Sequence, residues 1–397
     1  MTDLRPDTRV VHLPKVQPEG SAPISTPIYQ TSGFLFDDPA VFADGMDRPD
    51  GAFVYGRYSN PTTRVFEEAV AGLEGGVAAV AAATGMGAIN TIFLALLSPG
   101  DHVVAQHSLY GGTGHMLEEL EARFGISVTY VPEDDPEAAR AAFRPETKFL
   151  YLETIANPMT QVADVPGMCA VARAAGIPVI VDNTFASPIV FRPIEHGASI
   201  VVHSSTKYLS GHADIVGGIS VFADHDLHRK VWKFHCGLGA APDPFASWLS
   251  LRGLQTLPLR MARHNENARV LATRFAEHPA VSAVHWPGLP AHKSHALATK
   301  LLPDFGGVFS FDLAGGREAG VRFMKSLKVA LLAPSLGGVE TLVLHPASTS
   351  HRSVSDAALA AAGISPGTVR VAVGIEHPED LWTDFAQALD PAAMMGR

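Results

Sequence analysis

The sequence predicts an α/β protein: a mostly parallel sheet with helices on both faces, then a smaller α/β domain. Three observations predict it. From about residue 65, short apolar runs with strand character alternate with helical patterns, as βαβ units do. Hydrophobic residues are 47% of the 397 and charged residues 18%, so the chain can bury a large core. The texture changes again near residues 245–270, and the length suits two or three domains.

Residues 1–60 are rich in Pro, Gly and Asp without sustained periodicity and read as an extended arm that packs on something else. Val77–Ala83 reads as a strand, followed by a helix from about Gly87 to Leu97. His102–Gln106 is a strand, followed by a helix from about Gly112 to Phe124. Lys148–Glu153, Pro178–Asp182 and Ser199–His203 are further strands, with Val165–Ala175 a helix between them. Phe245–Arg263 is an amphipathic helical pattern interrupted at Pro258. Beyond it, Gly306–Leu313, Val329–Ala333, Thr341–His345 and Thr368–Gly374 read as strands, and Glu318–Leu327 and Pro378–Leu389 as helices. The expected division is an arm over 1–60, a large domain over 61–255 and a C-terminal domain over 256–397.

Composition excludes several function classes. Lys and Arg number 30 against 40 Asp and Glu, a net −10 with no basic block, so no nucleic-acid partner is expected. Two cysteines, Cys169 and Cys236, are too few for a disulfide framework or a Cys-based zinc site, and they fit a reducing cytoplasm. Met1–Pro6 is polar and no signal peptide is expected. Gly76–Leu97 carries no charge, but Thr84, Gly85, Gly87, Asn90 and Thr91 near its middle suit a strand, a turn and a buried helix rather than lipid. His225 with His228, and His292 with His295, have metal-like spacing without further ligands, and read as solvated surface. Cys169 reads as a small buried hydrophobe.

In an open parallel sheet, ligands gather at the carboxyl ends of the strands. Val77–Ala83 delivers Thr84-Gly85-Met86-Gly87 to a helix start, where backbone N–H groups can approach a phosphate. Close helix–strand packing explains the same glycines. Pro178–Val181 delivers Asp182, either a pocket charge or a turn cap. Ile200–His203 runs into Ser204-Ser205-Thr206-Lys207, whose lysine stands alone in an uncharged stretch. A snorkelling surface lysine is the alternative. Together, a phosphate cradle, a strand-end carboxylate and a lysine flanked by hydroxyls are the parts that hold pyridoxal 5'-phosphate (PLP). A nicotinamide-dependent dehydrogenase and a non-catalytic oligomeric scaffold are the readings from other classes.

An ordered series of stretches then resembles one family across nearly the whole chain. They are Pro27–Ser32, Tyr55–Thr62, Thr84–Ala88, Leu109–Thr113, Glu153–Pro158, Val181–Thr184, His203–His212, Leu251–Leu257, Ser335–Gly338, His345–Ser348 and Val369–Gly374. The chain resembles the Cys/Met-metabolism family of PLP enzymes, which includes cystathionine γ-synthase, cystathionine γ-lyase, methionine γ-lyase and O-acylhomoserine sulfhydrylase. The resemblance implies fold type I, with a seven-stranded, mostly parallel large domain and a smaller C-terminal α/β domain. It also implies a homotetramer built as a dimer of catalytic dimers, an amino-acid substrate and no metal.

Carried over position by position, Lys207 resembles the Schiff-base lysine and Asp182 the partner of the pyridine nitrogen. Tyr110 resembles the tyrosine stacked on the coenzyme ring. Gly85, Met86, Ser204 and Thr206 resemble the phosphate ligands, and Tyr55 and Arg57 the pair reaching a neighbouring subunit's phosphate. Asn157 resembles the residue near the coenzyme's phenolic oxygen. Arg370, with Ser335, resembles the clamp on the substrate α-carboxylate, a role that suits a two-toothed guanidinium.

Four departures stand out. Ser199 replaces an Asp before the lysine strand, and Ala213 replaces a small polar residue or His. Gly112 stands where methionine γ-lyases carry a cysteine. Pro334 stands where enzymes handling cystathionine often carry a Glu. The expected chemistry is γ-elimination or γ-replacement. Residue types do not name the leaving group or choose between the two outcomes.

Overall fold

The computed structural model describes residues 5–12, 23–349, 359 and 363–390. Of the expected arm, residues 1–4 and 13–22 therefore lie outside the described residues. The chain divides into two compact units: residues 1–154 with 163–258, and residues 155–162 with 259–397.

The first unit opens with two short helices where the sequence reading has extended chain, α1 (Pro6–Val11) and α2 (Pro39–Asp47). The reason is local. Each begins with a proline whose missing N–H costs nothing in a first turn, and Asp38 caps α2 by accepting from Ala40 N. Then come α3 (Pro61–Glu74), β1 (Ala78–Ala82), α4 (Gly85–Leu96), β2 (His102–Gln106) and α5 (Gly111–Phe124). They are followed by β3 (Ser127–Val131), α6 (Pro136–Ala142), β4 (Thr147–Glu153), α7 (Val165–Ala174), β5 (Val179–Asp182), α8 (Ser187–Val190), β6 (Ile200–His203) and β7 (Gly218–Phe222). Helices α9 (His225–Leu238) and α10 (Pro244–Leu254) complete the unit.

Its seven strands run β1-β7-β6-β5-β4-β2-β3. Only β7 is antiparallel to its neighbours, and the other pairs are parallel. Helices cover both faces, so the strands are apolar on both sides. Phe93, Phe149, Tyr151, Ile180 and Val202 share one core, with Phe93 stacked on Phe149 at 5.3 Å between centroids. The uncharged run at Gly76–Leu97 resolves into β1, a glycine turn and α4. Among the described residues no helix is long and apolar enough to cross a membrane.

In the second unit α11 (Leu257–Glu277) is followed by β8 (Val281–His285), α12 (His295–Leu301), β9 (Val308–Leu313), α13 (Gly316–Ser326), β10 (Leu331–Leu332), β11 (Leu342–Leu344), β12 (Thr368–Ala372) and α14 (Pro378–Leu389). The helical pattern expected to break at Pro258 breaks at Gln255-Thr256 instead. Pro258 falls in the first turn of α11, where its missing N–H has no partner to lose. The five strands run β10-β11-β12-β9-β8, mostly antiparallel, over a core in which Phe275 stacks on Phe311 at 4.2 Å.

Residues 155–162 belong to this unit although their neighbours in sequence do not. Ser310 Oγ donates to Pro158 O at 2.7 Å, Thr160 Oγ1 to His285 O at 3.1 Å, and Val162 N to Ser294 Oγ at 3.1 Å.

The histidines correct an expectation. His228 and His292 are buried rather than solvated, as are His235 and His264. His292 Nε2 is 3.1 Å from Met159 O, and His295 Nδ1 is 2.8 Å from Pro287 O, so these rings serve backbone groups. No metal-binding cluster occurs among the described residues. Desolvation holds His228, His235, His264 and His292 each down to about 4, from an ordinary 6.5. A depressed histidine contributes stability that is complete above 6.5 and is lost as pH falls toward 4, because only the unfolded chain takes up the proton. Each can contribute a slope of up to about 1.4 kcal/mol per pH unit. Urea melts are therefore expected to show a clear loss of stability between pH 7 and pH 5. Equal midpoints at the two pH values would contradict it.

Candidate active site

The first unit gathers most of the predicted residues at the carboxyl ends of β1, β2, β5 and β6. Asp182 is the last residue of β5, in register with Glu153 on one side and Val202 on the other. Its Oδ1 accepts Thr184 N at 2.9 Å, and Thr184 Oγ1 accepts Ser204 N at 2.9 Å. One hydrogen-bonded chain thus ties the carboxyl to the turn that carries Lys207. That turn is closed by Lys207 N to Ser204 O at 3.1 Å and Gly211 N to Lys207 O at 2.8 Å. Desolvation pushes the Asp182 carboxyl above its ordinary value, against hydrogen bonds from Thr184 and the charge of His203, which lower it.

Gly85 opens α4 beside Ser204. Thr84 Oγ1 caps the helix by accepting Gly87 N at 2.7 Å. That leaves the N–H groups of Gly85 and Met86 unclaimed by the helix itself. A Cβ on Gly85 would come within 2.8 Å of Ser204 Cβ, and one on Gly218 would collide with the Thr84 carbonyl. The missing side chains let three backbones converge into a cradle. Thr206 Oγ1 is engaged within the chain, donating to Gly217 O at 3.1 Å and accepting Gly217 N at 3.0 Å.

Tyr110 precedes α5 with its ring exposed. Two residues that sequence reasoning assigned no role hold it there. Glu153, at the end of β4, accepts Tyr110 N at 2.5 Å, and Gln106 Oε1, at the end of β2, accepts Glu153 N at 2.8 Å. A Cβ on Gly112 would lie 2.6 Å from the Tyr110 ring, so the glycine makes room for that ring position. In β4 the side chains of Tyr151 and Glu153 share a face, and the register sets that face beside Asp182.

A buried polar cluster supports the segment after Asp182. Asn183 Nδ2 donates to Glu74 Oε1 at 2.9 Å and to Phe191 O at 2.7 Å, while Thr154 Oγ1 donates to Asn183 Oδ1 at 2.8 Å. His203 Nε2 meets the same Glu74 oxygen at 2.6 Å. Elsewhere in the unit, Arg57 donates to Cys236 O and lies 5.0 Å from the Tyr58 ring centre and 5.8 Å from that of Tyr55. Both cysteines are free and buried, and burial pushes each thiol up to about 12.

The second unit assembles a separate set. Arg370, in the middle of β12, is buried. Its Nη1 donates to Asn157 Oδ1 at 3.1 Å and its Nη2 to Ser335 O at 2.7 Å. Ser335 presents that carbonyl from a left-handed backbone, φ +90°, which a non-glycine residue adopts only at a cost of order 1–3 kcal/mol.

These sites suit the group the sequence points to. The glycine cradle admits an anion, and the desolvated Asp182 suits a cationic ring nitrogen.

Known proteins resemble the chain over nearly its whole length. The family model described as Cys/Met metabolism PLP-dependent enzyme matches residues 7–390. The L-methionine gamma-lyase of Porphyromonas gingivalis is 42% identical over 369 residues, 92% of each chain. The cystathionine gamma-synthase of Mycobacterium tuberculosis is 39% identical over 384 residues, 97% of this chain and 96% of that one. The crystal structure of cystathionine gamma synthase from Xanthomonas oryzae pv. oryzae, in complex with aminoacrylate and cysteine, superposes with a TM-score of 0.91 at 37% identity, covering 98% of each chain.

Fold and site thus define a PLP-dependent enzyme of the fold-type I class, with a seven-stranded, mostly parallel sheet and a second, smaller sheet. The chain belongs to the Cys/Met-metabolism family of PLP-dependent enzymes, among relatives named as γ-lyases and γ-synthases.

Proposed function

We propose that the chain catalyses γ-elimination or γ-replacement on a γ-substituted L-amino acid of sulfur metabolism, of the cystathionine γ-synthase or γ-lyase type. The observation that carries this reading is the Asp182–Thr184–Ser204 chain, which links a desolvated carboxyl to the cradle and to the lysine turn.

When bound, PLP supplies an electron sink for charge developed on the substrate's carbon skeleton. The chain's own residues do the rest. The N–H groups of Gly85 and Met86, with Ser204 and Thr206, take the phosphate. Asp182 keeps a proton on the pyridine nitrogen. Lys207 Nζ attaches the coenzyme and, once released, is the base for the substrate Cα proton. Tyr110 stacks on the ring and serves as an acid–base partner. Asn157 lies by the phenolic oxygen, and Arg370 with Ser335 receives the α-carboxylate. Tyr55 and Arg57 reach the phosphate of a neighbouring subunit, so the working protein is at least a catalytic dimer, and the family resemblance makes it a homotetramer of two such dimers. Two free buried cysteines suit a cytoplasmic location.

Pro334 favours a second reading. The position before Ser335 offers no carboxylate to a distal ammonium, which suits substrates with a single amino-acid head. An O-acylhomoserine sulfhydrylase, a methionine γ-lyase or a specialised-pathway γ-substitution enzyme would meet that condition. The test is to incubate the holoenzyme with O-acylhomoserine, cystathionine, homocysteine and methionine, with and without a thiol, and to identify products by mass. A 2-oxoacid with ammonia, or a new thioether amino acid, is expected from at least one. No product from any of them would overturn the proposal.

A further inference from the structure

Asp182 has a neighbour that neither the sequence reading nor the family assignment gives a role. Tyr151 lies on β4, the strand beside β5. Its Cα partner in the ladder is Ile180, two residues before Asp182 on the same face. A diagonal neighbour of this kind is within reach of a tyrosine side chain. The phenol is fully buried, and its hydroxyl faces the Asp182 carboxyl on one side and the Thr113 hydroxyl of α5 on the other. It closes no hydrogen bond within 3.5 Å to either, and the Thr113 hydroxyl is equally buried and unbonded. A phenol sealed beside a carboxyl, with its own hydrogen bond unmade, is an arrangement that needs an acceptor.

We propose that Tyr151 is a positioning residue: its phenol donates to Asp182, with Thr113 donating to the phenol oxygen, so that the carboxylate is held ionised and aimed at the pyridine nitrogen. The inference rests on the PLP reading above. Burial keeps Tyr151 protonated, since desolvation and then the charges of Asp182 and Glu153 push its ionisation well above the ordinary range. The other groups that act on Asp182 are Thr184 on its own turn, through hydrogen bonds, and His203 on β6, through its charge. A donated bond favours the ionised carboxyl, so removing it raises the carboxyl's proton affinity and weakens its grip on a protonated ring nitrogen.

The experiment compares wild-type, Tyr151→Phe, Thr113→Val and Asp182→Asn holoenzymes. PLP release after desalting is followed by loss of the visible band near ~420 nm expected of a lysine-bound coenzyme. Circular dichroism checks that each variant is folded. Tyr151→Phe is expected to release coenzyme about tenfold faster than wild type, the scale of one hydrogen bond to a charged group. The excess should grow as pH falls, because loss of the donated bond raises the proton affinity of a carboxyl that desolvation already holds above its ordinary value. Thr113→Val should speed release less, and should add nothing in the Tyr151→Phe background, because it acts through the phenol. Equal release from wild type and Tyr151→Phe, with fast release from Asp182→Asn, overturns the Tyr151 assignment alone. So does a pH-independent excess, or additive effects of the two variants. A wild-type protein that takes up no PLP overturns the underlying reading instead.

Discussion

Replacing Lys207 with alanine is expected to abolish turnover on every substrate the wild type accepts, by more than about 10³-fold, while leaving the fold intact. The turn around residue 207 is held by main-chain bonds, Lys207 N to Ser204 O and Gly211 N to Lys207 O, which alanine keeps. What disappears is the Nζ amine, the one group assigned both to attach the coenzyme and to carry the substrate proton. The measurement is product formation by mass, with circular dichroism as the folding control. Borohydride reduction in the presence of PLP adds a second readout: it should tag the wild type at residue 207 and leave the variant untagged. Retained turnover, or tagging at another lysine, would contradict the assignment.

Arg370→Lys is expected to lower kcat/KM by about 10²-fold although the positive charge remains. Arginine presents a planar fork that meets a carboxylate with two parallel N–H bonds, and lysine offers a point charge. The fork is also what joins Asn157 Oδ1 to Ser335 O through two different nitrogens, and one ammonium cannot reproduce that span. Steady-state kinetics on one accepted substrate, beside a substrate analogue lacking the carboxylate, separates the effects. The penalty should vanish for the analogue. An equal penalty on both would mean that Arg370 is a structural brace rather than a carboxylate clamp.

Much of the site was legible because strand ends in a parallel sheet are legible. An apolar run that stops at Asp182, and another that stops before Ser204, mark where two strands deliver side chains to one edge. The glycine turn after β1 was equally plain. The supporting groups were not. Tyr151 and Glu153 lie in a strand buried on both faces, where apolar residues stand on either side and the alternation that separates the faces is lost. The helices α3 and α9 and the strands β3 and β7 went unmarked for a related reason. Helix α3 begins right after the region read as an arm and ahead of the alternation read from about residue 65, and β3 and β7 are short runs with serine and threonine among their apolar residues. Helix α2 carried a readable start in Asp38-Pro39.

Order of elements, the chemistry available at each strand end, the lack of a Lys/Arg block in the sequence and a cysteine count of two follow from the residues themselves, because each depends on composition or on neighbours a few positions away. Tertiary structure decided which of those groups meet. It set Glu153 under the Tyr110 backbone, buried His228 and His292, and drew residues 155–162 into the second unit. It also joined Arg370 to Asn157 across 213 positions. The physical reason is range: propensity and capping act within a turn or a strand, whereas contacts between distant residues exist only after packing has chosen their faces.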